Sequence, residues 1–232
     1  VTTAGCGVKT TETEKDEPEA SSVSLSPSQQ ENSSPSEPAE PAPSADVADT
    51  DALFQYLSAE LALPAEALAN WAIYYFDITG DGADEALCVS SYDDSWQEDL
   101  LIVTADSEAF KVLTSEIPLG KYKTTVAFEN GILAVTTKTG GTGIQTTVAN
   151  FYTYSGDSTI VNVYEDLMIE NVVSDPNHPE AFTDEAGVME GALTDFIYTL
   201  TSYDEEKNGV VLEKLHFVYH PETMSYDIAA AP

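Results

Sequence analysis

Three features of this 232-residue chain predict a mainly β protein, an antiparallel β-meander preceded by an N-terminal helix. Short apolar or alternating runs recur from Trp71 onward, turn-forming residues separate them, and nearly every connection is too short for the crossover that parallel pairing needs. Periodicity alone leaves three closures open: propeller-like blades, a barrel or a sandwich.

The elements follow in order. In "ADTDALFQYLSAELALPAEALANW", Asp49 or Thr50 can cap a helix, Asp51 favours its first turn, and Leu53, Leu57 and Leu61 make one face at helical spacing. Pro64 ends this helix or opens a second short one through Asn70. Strands are expected near 71–77, 85–91, 98–104, 109–114, 122–129, 132–139, 144–154, 159–171, 192–203, 210–220 and 224–230. Asn130-Gly131 is a two-residue hairpin signal, while "SGDS" at 155–158 and "KNG" at 207–209 supply further left-handed positions. "HPET" at 220–223 puts a proline at a turn entry. "SDPNHPEAFTDEAG" at 174–187 reads as a surface loop with room for a short helix.

Composition divides the chain. Residues 7–46 are Ser, Pro, Glu, Thr and Ala with almost no bulky apolar side chain, so burial cannot offset their ordering entropy, and a disordered spacer is expected. Residues 47–232 carry enough Leu, Val, Ile, Phe and Tyr for one β-rich globular domain. The formal charge is −33, from 41 acidic residues against eight lysines and no arginine. Nucleic acid and anionic headgroups need clustered cations, so those partners are excluded as main ligands. Such a chain suits a surface protein or a collector of divalent cations.

Two cysteines are present. Cys88, in "ALCVS", is expected to be a buried, inert thiol. Cys6 follows "TTAG", and Ala4, Gly5 and Cys6 resemble the end of a bacterial lipoprotein signal peptide, with Thr3 where leucine is usual. The resemblance implies that residues 1–6 close a signal peptide on its lipobox cysteine, that Val1 to Gly5 are removed and that Cys6 is diacylated. The protein would then be anchored through that lipid to the outer face of the bacterial cytoplasmic membrane. The spacer would hold the domain away from the membrane at the cell surface.

The stretch "YYFDITGDGADEALCVSS" at 74–91 carries the strongest chemical signal. Counting Asp77 as position 1, Thr79, Asp81 and Ala83 fall on positions 3, 5 and 7, and Gly82 on position 6. Calcium takes six to eight hard oxygens, and a tight loop with glycine at position 6 turns alternate residues inward. An EF-hand would close with glutamate at position 12, where this chain has Cys88, so closure falls to Glu85 at position 9 or to Asp84 beside it. From Trp71 to Ser91 the segment resembles the calcium loops of FG-GAP and VCBS repeats, and the D-x-x-G-D-G-x-x-E segment of uncharacterised lipoproteins of Gram-positive bacteria. The resemblance implies Asp77, Asp81 and Glu85 as side-chain ligands, Thr79 as a weaker one and the Ala83 carbonyl, with Asp84 as substitute. It implies a structural calcium of weak, millimolar-range affinity.

Other chemistry is sparse. His216 and His220 lie four apart in an expected strand, about 13 Å from each other, too far to chelate one metal. They and His178 read as half-exposed surface histidines. "KTGGTGIQT" at 138–146 lies between strands with no helix after it, which favours a hairpin over a phosphate cradle. The expectation is a lipid-anchored surface protein whose calcium-stabilised β-domain binds a protein or glycan ligand without catalysing a reaction. The alternative is a surface hydrolase or carbohydrate-active protein using acidic residues.

Overall fold

The computed structural model describes residues 46–90, 100–106, 109–117, 123–157, 159–175 and 178–232. The chain divides between Glu40 and Pro41, and all described residues belong to the second unit. Cys6 and the spacer, apart from Asp46, lie outside them.

Helix α1 spans Thr50–Leu61 and is capped by the Asp49 carboxylate, which accepts from the Ala52 N–H. It ends at Ala62 in the left-handed region, and α2 is the single turn Ala65–Leu68 behind Pro64. Leu53 and Leu57 are fully buried, as their spacing predicts.

Strands β1 (Ala72–Phe76), β2 (Glu85–Val89), β3 (Leu100–Ala105) and β4 (Phe110–Ile117) form one antiparallel sheet in sequential order. A second sheet runs through β5 (Lys123–Glu129), β6 (Ile132–Gly141), β7 (Ile144–Tyr154), β8 (Ile160–Asp175), β9 (His178–Ala192), β10 (Asp195–Tyr203), β11 (Gly209–His220) and β12 (Ser225–Ala230), each strand antiparallel to its neighbours. The fold is the expected antiparallel meander after a helix.

The first sheet is the middle layer. Along β2 alternate residues serve two cores: Ala86 and Cys88 pack with Leu53, Leu57 and Leu68 of the helices, and Leu87 and Val89 pack with Leu133, Val135 and Tyr152 of the second sheet. With both faces covered, β2 reads as a continuous apolar run rather than a polar alternation.

A third core fills the inner face of the second sheet. Phe151 of β7 stacks on Phe196 of β10, which lies nearly parallel to Phe217 of β11 at 4.7 Å, and Tyr226 of β12 meets Phe151 edge-on at 5.7 Å. Strands far apart in the sheet order thus touch, so the sheet is strongly curled, yet it does not close into a barrel.

Turn chemistry agrees with sequence at Asn130 and Gly131, both left-handed at φ 51° and 81° as a two-residue hairpin requires. In "KNG" the left-handed residue is Lys207, and Gly209 serves a close approach instead, since a Cβ there would lie 2.9 Å from the Thr201 side chain. "KTGGTGIQT" is the β6–β7 hairpin, turning at Thr142 and Gly143. The stretch 174–187 departs from expectation, because its residues from His178 onward belong to β9. The reason is pairing, since β10 lies along Glu185–Ala192 and β8 along His178–Ala186, so neighbours hold a segment of weak strand propensity extended.

Candidate functional site

The loop from Asp77 to Asp84 joins β1 and β2, and its floor is built from the loop itself. Ile78, at its second position, is buried in the core between the sheets. Gly80 and Gly82 both hold positive φ, 75° and 91°, where a side chain would be strained. One Asp77 oxygen accepts from the Gly80 N–H at 2.8 Å and the other from the Gly82 N–H at 3.1 Å, while Asp81 accepts from the Ala83 N–H at 2.8 Å. Local carboxylate-to-backbone bonds of this kind hold the tip of the turn.

Glu85 is the unusual member. It opens β2 and is fully buried. Its Oε2 accepts from the N–H groups of Ile78 and Thr79 at 2.8 and 3.0 Å, and its Oε1 accepts from the hydroxyls of Thr79 and Thr104, both at 3.2 Å. Burial pushes the carboxyl above its ordinary range, and the four donors pull it part of the way back. Glu85 therefore clamps both ends of the loop. Thr104 is the participant that sequence reasoning missed. Its only signal is register, because the Ala86–Val103 pair of β2 and β3 sets Thr104 beside Glu85.

The residues expected as ligands thus fall into two groups. Asp77, Thr79, Ala83 and the exposed Asp81 and Asp84 line the loop, while both Glu85 oxygens already accept hydrogen bonds within the protein. Among the described residues, no three His, Cys, Asp or Glu side chains converge on one point. The donors of the loop are all oxygens, and the ionised carboxylates keep acceptor capacity beyond the bonds given above, which is the chemistry a hard cation takes. A cavity of about 410 Å³ opens beside the loop, lined by Asp46, Val47, Ala48, Tyr75, Ala83, Asp84 and Ala105.

Cys88, at position 12, is fully buried against the helices, and burial pushes its thiol up to about 12. His216 contacts the Asp195 carboxylate at 2.7 Å, and His220 lies between Glu222 and Asp227 at 3.3 and 3.1 Å. Both histidines are half-exposed, as expected, and the structure adds carboxylate partners that the sequence did not indicate. His178 falls in β9, and its side chain lies outside what the structure describes.

The fold and the loop together define a two-sheet antiparallel β-domain with a helical cover and an acid-rich, glycine-bent connection at the end of its middle layer. No family model, no curated protein and no solved structure matches the chain.

Proposed function

We propose that this chain is a lipid-anchored bacterial surface protein whose β-domain is a non-enzymatic binding module stabilised by calcium at the Asp77–Glu85 loop. The observation that carries the calcium reading is the loop itself: five oxygen-bearing side chains within nine residues, bent by two left-handed glycines and closed on a buried glutamate. Asp77, Asp81 and the Ala83 carbonyl would hold the ion, with Asp84 taking the place that Glu85 leaves and Thr79 as a weaker donor. Glu85 would set the position of the loop from beneath. The lipid at Cys6 and the spacer at 7–46 supply the address and the reach of the module, on the sequence resemblance given above.

The test is a calcium titration of the intact chain by thermal denaturation. Millimolar calcium should raise the melting temperature by several degrees, magnesium should do much less, and Asp77→Asn with Asp81→Asn should remove the response. A melting temperature that ignores calcium ends the metal reading. For the anchor, radiolabelled palmitate should enter the protein expressed with a full signal peptide and not its Cys6→Ser variant.

A further inference from the structure

Residues Gly209 to Lys214 of β11 are exposed along their whole length, and three consecutive apolar side chains stand among them. Val210, Val211 and Leu212 are 64 %, 57 % and 54 % exposed. Strand β10 pairs with this stretch on one side. On the other side β12 reaches only Leu215–His220, with one further bond from the Ala231 N–H to the Lys214 carbonyl. Among the described residues, Gly209–Glu213 is therefore an open strand edge. Folded domains normally blunt such an edge; here flanking acids and a bulge limit it, yet three exposed apolar side chains in a row remain on it, which calls for a use.

We propose that Gly209–Glu213 is a docking edge for an extended segment of a partner protein that carries alternating apolar and basic side chains. Free backbone groups supply the affinity of strand addition, and side chains on either face of the added strand supply selectivity. Val210 and Val211 point to opposite faces, so an added strand meets an apolar contact on each.

Charge selects the basic partner. Asp204, Glu205 and Glu206 form the turn that enters the edge, Glu213 closes it, and all four are exposed. The lysines nearest to them are engaged, Lys207 with Asp184 and Lys214 with the Pro232 carbonyl. A second copy of this chain would bring the same acids and a further charge of −33, so repulsion opposes self-pairing. Leu212 is an extra residue in β11 relative to β10, a bulge that twists the edge and keeps the paired stretch short. Binding should accordingly be transient and micromolar.

This inference rests on the binding-module reading but not on calcium, so the experiment is run with calcium and again with EDTA. Fluorescence polarisation of the intact chain is measured against three labelled octapeptides that alternate valine with lysine, serine or glutamate. The valine–lysine peptide should bind in both buffers, at least tenfold more tightly than the serine peptide, and the glutamate peptide should not bind. Val210→Lys with Leu212→Lys should weaken binding at least tenfold without moving the melting temperature. The matched pair Ile144→Lys with Val188→Lys, also on exposed apolar positions, should leave it unchanged. Failure of the valine–lysine peptide to bind, equal binding of all three peptides, or equal loss in both double variants would overturn the proposal. So would a concentration-dependent doubling of mass that the Val210/Leu212 variant abolishes, which would assign the edge to a second copy. A calcium-dependent melting temperature with no edge-dependent binding would overturn the edge alone.

Discussion

The Tyr198 hydroxyl of β10 donates to the Met168 carbonyl of β8 at 2.6 Å, across Gly187 of the strand between them. The β8–β9 ladder begins to part at the Glu170–Ala186 pair, so Met168 lies beyond it and the tyrosine completes its bonding. A Cβ on Gly187 would fall 2.0 Å from that carbonyl and 2.7 Å from the tyrosine oxygen. Glycine is there so that the ring can cross, and burial pushes the hydroxyl up to about 12, which keeps it a donor at any ordinary pH.

Tyr198→Phe should therefore cost about 1–3 kcal/mol, the penalty for a carbonyl left without its donor. Gly187→Ala should cost at least as much, because Met168 and the tyrosine must both move. Urea denaturation of the two variants checks the order.

Glu85 makes stability depend on pH in a specific direction. Its carboxyl is raised in the folded state, so its contribution is complete below the ordinary value of 4.5 and is lost as pH rises through the folded value. Glu85→Gln keeps an acceptor for Ile78 and Thr79 and has no charge to bury. The denaturation midpoint of the wild type should fall relative to that of Glu85→Gln as pH rises from 4.5 toward neutrality, which titration of other carboxylates cannot imitate because both proteins share it. Glu85→Ala should lose about 1–3 kcal/mol for each orphaned N–H at every pH. If calcium instead takes Glu85 directly, Glu85→Gln will abolish the thermal response to calcium; a retained response identifies the residue as support.

Much of the fold, and the bend of the 77–85 loop, is legible in the sequence. Asn130-Gly131 announced its turn because both residues tolerate left-handed φ, and the leucines of α1 announced their face because 3.6-residue spacing is local. The acids and glycines of 77–85 likewise marked a bent loop. Sequence could not show that Glu85 spends its oxygens on Ile78, Thr79 and Thr104, since the last partner arrives from another strand. Nor could it show β9, whose extended form is imposed by β8 and β10 on a segment rich in acid and small residues.

Cys88 should be chemically silent in the native protein. Burial with a thiol near 12 leaves about one molecule in 10,000 as thiolate at pH 8, and the side chain is inaccessible as well. In a Cys6→Ser background, the thiol reagent DTNB should release no colour from the folded chain and one equivalent after denaturation.

The aromatic core of the curled sheet should be the least tolerant part of the domain. Phe217 is fully buried, parallel to Phe196 and edge-on to Tyr164 at 5.2 Å. Phe217→Ala should cost about 3–5 kcal/mol, and Phe217→Leu clearly less, as read from denaturant midpoints.

The two-sided middle layer has a mechanical corollary. A pull on the chain ahead of Asp46 is delivered first to Val47 and α1, which hold only the outer face of the β1–β4 sheet. The curled sheet keeps its own aromatic core and shares only the opposite face of that layer. Tension from the N-terminal side should thus strip the helices early and leave β5–β12 folded, so that the part farthest along the chain is the last to yield.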